Sequence, residues 1–397
     1  MTTDFNSLTK KYIDETDLAH RKAFGQYFTP HRLREHLLSV LPKAAGASIL
    51  DPACGTGEFL LSAKEYFPKC RLHGWEIDRK LVKMTRKIVP SADIRQTDSL
   101  REDPEPQFDF VIGNPPYFEL KPDSELKERY HDVISGRANI FAMFVKLGLR
   151  LVRPNGYVAY VIPPSMNNGA YFTALRRFII KHAKIEYLAI EESASLFDKA
   201  QQAVMILVLK KCANRGDYVF EKNGISVFST DTATLKRAFR GKTTLKELRM
   251  SVRTGRIVWN QHRDKLTTRH KNAIPLIRAH NITKDGLVLE NSSDRPQYIR
   301  FDGYDSGPAI VVNRVTGTAT KVSLKAALIE PGFHFLGENH VNVIFPPPGL
   351  GQKKAVSILQ RVVDQINSPA TSDTMRLVTG NTQISRTELE CLLPLNL

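Results

Sequence analysis

Between Ser48 and about Phe228, short apolar runs alternate with stretches in which apolar residues recur every three to four positions. The runs predict strands at Ser48-Ile49-Leu50, Arg71 to Glu76, Asp93 to Gln96, Phe108 to Ile112, Tyr157 to Ile162, Glu186 to Ile190, Val204 to Leu209 and Val219-Phe220. The longer periodicity predicts helices over Glu58 to Phe67, Arg79 to Ile88, Ile140 to Val152 and Tyr171 to His182. Apolar strands alternating with amphipathic helices make an α/β fold, with a mostly parallel sheet covered on both faces. The last strands arrive without helices between them. An antiparallel hairpin should therefore close the sheet, because strands joined by a tight turn cannot run parallel.

Past about Thr230 the rhythm changes, and from Leu245 onward Arg, His, Asn, Thr, Gly and Pro dominate with weaker periodicity. A boundary is expected near residues 235 to 245, giving domains 1–240 and 241–397. A chain of 397 residues with 42% hydrophobic content fits that division. Its formal charge of +16 favours a polyanionic partner such as nucleic acid. The four cysteines, Cys54, Cys70, Cys212 and Cys391, form no CxxC pair, so neither a disulfide framework nor a zinc site is expected. The polar N-terminal stretch MTTDFNSLTKKYIDET has no apolar targeting segment, and no run approaches the 18 or so apolar residues of a membrane span. A cytoplasmic, nucleoid-associated protein is the expectation.

Chemistry concentrates at strand ends. Ile49-Leu50-Asp51-Pro52-Ala53-Cys54-Gly55-Thr56-Gly57-Glu58-Phe59 reads as a strand, a glycine-bearing turn and a helix start, where glycines admit a ligand close to the backbone. Gly74-Trp75-Glu76-Ile77-Asp78 ends the next strand with a carboxylate able to accept from two ribose hydroxyls; Asp78 reads better as a helix cap. Asp98, in Gln96-Thr97-Asp98-Ser99, can accept from a cofactor adenine or cap the next helix. The turn lacks GxxxxGK[ST], which argues against a nucleoside triphosphate and leaves NAD open.

The most informative segment is Phe108-Asp109-Phe110-Val111-Ile112-Gly113-Asn114-Pro115-Pro116-Tyr117. Two prolines remove two backbone donors and stiffen the loop. The Asn114 side-chain oxygen and the Pro115 carbonyl can then both receive N–H bonds beside the Tyr117 ring, a lip suited to a planar amide or aromatic amine.

Here the sequence resembles the gamma class of DNA adenine-N6 methyltransferases, the Taq-type enzymes of restriction-modification systems, over nearly its whole length. Ala23 to Pro30 looks like the motif before the glycine loop, Asp51 to Phe59 like the cofactor loop, and Asn114 to Tyr117 like the NPPY box. Asn139 to Phe144 and Leu196-Phe197-Asp198 look like later blocks. The resemblance implies a Rossmann-like methyltransferase sheet with a terminal antiparallel hairpin, followed by a mixed α+β target-recognition domain. It implies S-adenosylmethionine as cofactor, held by Phe28, Thr29, Pro30, Asp51, Ala53, Gly55, Gly57, Glu76, Ile77, Asp98, Ser99, Asn114 and Phe144. Asn114, Pro115, Pro116 and Tyr117 would be catalytic, with Phe197 covering the second face of the target base. The activity implied is direct methyl transfer to N6 of an adenine extruded from duplex DNA, since a paired and stacked base is out of reach. NPPY alone is shared with RNA and protein-glutamine methyltransferases. That alternative stays open, although the order of cofactor loop, NPPY and basic domain is the gamma arrangement.

Arg253, Arg256, Arg263, Lys265, Arg269, Lys271 and Arg278 form a basic band with Trp259, His262 and His270 interspersed, which suits DNA phosphates. Val252 to Asn260 and Gly337 to Ile344 resemble blocks of adenine-methyltransferase recognition domains, and Asn313, Arg314, Thr316 and Thr318 can reach base edges or form turns. Expected partners are double-stranded DNA and a cognate restriction endonuclease acting separately from a monomeric chain. Pro122-Asp123-Ser124-Glu125-Leu126-Lys127 has the look of a nuclease PD…ExK site, but the gap is too short; it reads as a polar helix start. No metal is expected from His20, His31 and His36, and Cys54 reads as a small buried filler.

Overall fold

The computed structural model describes residues 4–17, 21, 25–103, 105–136, 138–167, 169–191, 203–213, 216–268, 271–314, 317–318, 321–379 and 383–397. Two compact units emerge, one of Met1–Asn167 with Tyr171–Val219 and the other of Asn168–Ala170 with Phe220–Leu397.

The first unit is built on a seven-stranded sheet of β1 (Ser48–Asp51), β2 (Arg71–Glu76), β3 (Asp93–Gln96), β4 (Phe108–Gly113), β5 (Val152–Ile162), β6 (Lys184–Glu191) and β7 (Val204–Lys210). Its order is β3-β2-β1-β4-β5-β7-β6. The first five strands pair in parallel, while β7 runs antiparallel to both β5 and β6. This is the α/β sheet with a closing hairpin that the apolar runs predict. Strand order reverses between β1 and β4, and in such sheets the crevice outside the carboxyl ends at the reversal takes the ligand.

Helices α1 (Ser7–Glu15), α2 (His31–Ser39), α3 (Glu58–Tyr66), α4 (Arg79–Ile88), α5 (Ser124–Tyr130), α6 (Ile140–Leu151) and α7 (Thr173–His182) belong to this unit. In α6 only Lys146 and Arg150 escape full burial. That all-round apolar surface marks a helix enclosed by its neighbours. Leu60, Ala63, Ile49, Ile112 and Ile206 share one core beneath the site.

Val219–Lys222, expected in the main sheet, instead pairs with Ile225–Phe228 in a separate two-stranded sheet. Asn223 and Gly224 both have positive φ, 53° and 79°, the geometry of a two-residue hairpin turn that binds a strand to its sequence neighbour. This hairpin also explains why the units divide at Val219/Phe220, ahead of the expected 240. Phe220, Val227, Leu235 and Phe239 all pack into the second unit's core.

The second unit is mixed α+β. Ser251–Thr254, Val341–Phe345, Ala309–Asn313 and Ala326–Ile329 form a four-stranded sheet in that order, and a five-stranded sheet includes Ile274–Ile277 and His334–Gly337. Three helices follow, Gln352–Ile366, Pro369–Val378 and Arg386–Leu392. No helix among the described residues is long and apolar enough to cross a membrane.

Candidate active site

The glycine turn leaves β1 and is gripped from three sides. The Gly55 N–H donates to Glu76 Oε2 at 2.9 Å, the Thr85 hydroxyl on α4 donates to the Gly55 carbonyl at 2.7 Å, and the Ser99 hydroxyl reaches the Pro52 carbonyl at 2.5 Å. Thr85 escapes a reading of the sequence because one hydroxyl in an amphipathic helix looks like any surface threonine. Glu76 also accepts from the Asp78 N–H at 2.9 Å, and burial pushes its carboxyl up despite these two donors. Asp51 is wholly buried and accepts from the Ala53 N–H at 3.1 Å; burial pushes it up to about 8, with Glu76 adding to the rise. Asp98 is occupied by its own helix end. Its Oδ1 caps Leu100 N at 3.2 Å and its Oδ2 pairs with Arg101 at 3.2 Å, so both oxygens serve the cap. Asp78 caps α4, and the buried Cys54 thiol is pushed up by desolvation, as suits a filler. Ile77 is 64% exposed, an apolar side chain left largely uncovered by the protein.

The second wall is the corner after β4. Gly113 has φ 146°, and a Cβ there would stand 2.6 Å from Asp51 Oδ1, so only glycine lets β4 pass the β1 carboxylate and turn. Asn114 follows. Its Nδ2 donates to the Tyr27 carbonyl at 2.9 Å and to Thr29 Oγ1 at 3.0 Å. With both amino hydrogens directed at acceptors, the carboxamide orientation is fixed and Oδ1 remains as the acceptor. The Tyr117 hydroxyl has two acceptors within reach, Asn114 Oδ1 and the Val161 carbonyl at 2.6 Å, and one proton to give. Donated to Val161, that proton leaves Asn114 Oδ1 free of a donor from the protein. Burial holds the Tyr117 phenol well above its usual range. The Tyr117 ring stacks on Tyr27 at 5.8 Å and meets Phe141 edge-on at 6.3 Å. Pro115 is buried beneath the corner, and Pro116 lies against the Gly25 turn, where a Cβ would come within 2.8 Å of Pro116 Cβ.

A buried cation holds the preceding motif in place. Arg34 on α2 donates to the Thr29 carbonyl at 2.5 Å, to the Ser62 hydroxyl at 2.9 Å and to the Asp4 carbonyl at 3.2 Å, and pairs with Glu58 at 3.0 Å. Glu58 in turn accepts from Asn6 N at 2.8 Å. Thr29 is thus clamped between Arg34 and Asn114, and Thr29 and Pro30 are buried. Phe28 meets Phe5 and Tyr12 edge-on at 6.4 and 6.0 Å. Phe144 is 5% exposed within α6, so most of its ring is already enclosed by protein. Phe197 lies outside the described residues, as do Phe24 and Arg269.

The two walls also bear on which small molecule the crevice takes. Gly55 leaves open space where a Cβ would stand, Thr56 carries a buried hydroxyl with no partner among the described residues, and Asp51 and Glu76 retain high proton affinity through burial. These features fit a ribose-bearing sulfonium amino acid. The family of N-6 DNA methylases matches residues 11–269 of the sequence. The chain belongs to the N-6 DNA methylase family. It is therefore a DNA methyltransferase of the N6 type, and S-adenosylmethionine is its cofactor.

Modification methylase CviBIII of Paramecium bursaria Chlorella virus NC1A is 24% identical over 97% of this methylase and 95% of its own length. Type II methyltransferase M.CvrRI of Paramecium bursaria Chlorella virus XZ-6E is 27% identical over 70% and 73%, and M.BsuBI of Bacillus subtilis is 23% identical over 99% and 92%. Among solved structures, the type IIG restriction endonuclease BpuSI aligns with 96% of this methylase and 58% of its own chain at 14% identity and a TM-score of 0.45.

In the second unit Arg253, Arg256, Arg263, Lys265 and Lys271 are all exposed. Three of them lie over aromatic rings: Arg253 over Phe345 at 4.2 Å, Arg263 over Trp259 at 4.9 Å and Lys265 over Phe301 at 5.5 Å. Arg253 also meets Asp305 at 3.7 Å. Arg278 is half-buried, and desolvation lowers its proton affinity. Among the described residues no group of histidines, cysteines and carboxylates is arranged to hold a metal ion.

The buried Asp51 makes stability depend on pH in a definite direction. An ordinary aspartate ionises near 3.8, whereas the native group keeps its proton to about 8. Its contribution is complete below about pH 4 and is lost as pH rises through 8, because the unfolded chain gives up the proton first. Asp51→Asn should therefore raise the melting temperature of the ligand-free protein by several degrees at pH 8.5 and hardly at all at pH 4, read by differential scanning fluorimetry. An equal gain at both pH values would contradict this.

Proposed function

We propose that this methylase transfers the methyl group of S-adenosylmethionine to N6 of an adenine turned out of duplex DNA. The observation that carries the reading is the fixed orientation of Asn114, whose Nδ2 is spent on Tyr27 and Thr29, which makes Oδ1, beside the Tyr117 hydroxyl, its accepting atom. The neighbouring Pro115 offers a carbonyl and no N–H. Two adjacent acceptors receive both hydrogens of an exocyclic amine. Its lone pair then leaves conjugation with the ring, and the nitrogen becomes a better nucleophile. The cofactor supplies an electrophilic sulfonium methyl when bound. Glu76 would hold its ribose, Gly55 and Gly57 its backbone approach, and Asp51 its cationic end, with Ile77 and Phe144 beside its adenine.

Tyr117 serves the same reading in two ways. Its ring offers a face to a purine, and base–aromatic stacking contributes roughly 1–3 kcal/mol toward the few kcal/mol that extrusion costs. Its hydroxyl, tied to Val161, keeps that ring from swinging when the base arrives. Phe197 is assigned to the other face of the base by its place in the motif order. Asp98 is assigned to the cofactor only through its position, since its oxygens serve the helix cap.

The relatives are named as modification and type II methyltransferases. We take this methylase to act on a short sequence, as a monomer, protecting DNA beside a separately acting nuclease. The first unit would carry the chemistry and the second, from Phe220 onward, the target recognition. Transfer of tritium from labelled cofactor to duplex DNA, RNA and protein tests the assignment: label in N6-methyladenine of duplex DNA is expected, and label confined to RNA or to protein glutamine would replace it.

The basic band gives a second expectation. Replacing Arg256, Arg263 and Lys265 with Gln should weaken binding to every duplex alike and lower the slope of log K against log salt by about 3, near one for each phosphate no longer neutralised. Filter binding at several salt concentrations measures it, and an unchanged slope would take the band out of the interface.

A further inference from the structure

Directly after the NPPY corner the chain forms an open groove of about 630 Å³ in the first unit, lined in part by Glu119, Lys121, Lys127, His131 and Gly136. Glu119–Leu120 pairs antiparallel with Ala138–Asn139, and the Ile140 N–H donates to the Phe118 carbonyl at 3.1 Å. The groove is thereby tied to Phe118, one residue from Tyr117.

The charges around it are sorted unevenly. The two acids of the segment that mimics a nuclease motif are both engaged by Arg101: Asp123 at 2.5 Å while also capping Leu126 N, and Glu125 in close contact while also facing Arg129. Asp132 is taken by Lys146 at 2.6 Å. Lys121 and Lys127 are exposed, and among the described residues neither is held by a side-chain hydrogen bond or an ion pair, although the Lys127 charge is felt by Asp123. His131 adds a ring whose Nδ1 faces the Glu128 carbonyl at 2.8 Å. Glu119 stands against them, and two lysines against one carboxylate leave the groove positive. At its edge Tyr171 is 55% exposed, and a Cβ on Gly136 would stand 3.5 Å from its ring.

Cations lining a concave surface with an uncovered aromatic at the rim are what a nucleic-acid strand needs, phosphates to the first and a base face to the second. We propose that this groove binds the phosphodiester backbone of the target strand beside the extruded nucleotide, with Lys121 and Lys127 on phosphates and Tyr171 against a neighbouring unpaired or unstacked base. The proposal rests on the duplex-DNA reading above. It adds a contact made by the catalytic unit itself, separate from the basic band.

The test uses the full chain and a duplex that the wild type methylates. Lys121→Gln/Lys127→Gln should raise the Kd for duplex about tenfold at moderate salt and lower the salt slope by about 2. Cofactor Kd and circular dichroism should be unchanged, and Lys121→Arg/Lys127→Arg should restore the slope. Tyr171→Ala should raise KM for DNA, with Tyr171→Phe close to wild type because the ring face is kept. If the wild type methylates duplex DNA and the Gln pair leaves Kd and slope unchanged, the groove is overturned while the activity stands. If the wild type transfers nothing to DNA, both readings fall.

Discussion

Asn114→Ala is expected to abolish methyl transfer, lowering kcat by at least the 10²–10³-fold typical of losing one positioned hydrogen-bonding group at a reacting centre. Cofactor Kd should rise far less than kcat falls, because the Tyr27–Thr29 segment loses one tie while the carboxylates and the glycine turn, on other strand ends, keep theirs. The reason lies in how many tasks the side chain has. Its Nδ2 fastens the Tyr27–Thr29 segment to the corner, and its Oδ1 faces Tyr117 and the space the amine would take. Alanine loses both the acceptor and the tie to Tyr27 and Thr29. Single-turnover measurement with saturating duplex separates the chemical step from binding. Turnover within tenfold of wild type would remove Asn114 from the reaction.

Arg34→Met is the substitution with the largest expected effect on stability. The guanidinium is 2% exposed, and desolvation lowers its proton affinity, yet four protein groups converge on it. Methionine keeps the stem's volume and abandons Glu58 in the interior. Breaking a buried pair from one side costs about 3–5 kcal/mol, because a charge remains without its partner. The double variant Arg34→Met/Glu58→Gln should recover part of that loss. Denaturant titration of each variant checks both statements, and additive losses in the double variant would show that the two side chains do not act as a pair. Cofactor affinity should fall along with stability, since Thr29 and the start of α3 both hang on this ion pair.

Much of the first unit is legible from residues alone, for an identifiable physical reason. Strands buried on both faces, such as Phe108–Gly113 and Val204–Lys210, must be apolar at nearly every position, Asp109 and Lys210 being the half-buried exceptions, and that leaves a mark in one dimension. Asn-Pro-Pro-Tyr is equally visible because its geometry is set by covalent constraint. Arg34 is missed by such a reading, although it carries a signal. It stands on the same helical stripe as Leu37 and Leu38, and a cation on an apolar stripe points to a buried partner. The second unit is opaque for the opposite reason: Ser251–Thr254 pairs with Val341–Phe345, far along the chain, and no local pattern encodes such a register. Its helix Gln352–Ile366 is legible in principle, since Ala355, Leu359, Val362, Val363 and Ile366 fall on one face.

The order in which the sheet is assembled also governs when a newly made chain becomes competent. Strand β7 is late in sequence yet sits inside the sheet, with Ile206 opposite Val161, the residue whose carbonyl receives the Tyr117 hydroxyl. Until Lys210 has left the ribosome, β5 presents a bare edge and the reactive corner lacks its backing. Nascent polypeptides shorter than this should be recognised by chaperones rather than by substrate, and a split version of the enzyme should be cut after that strand, not before it.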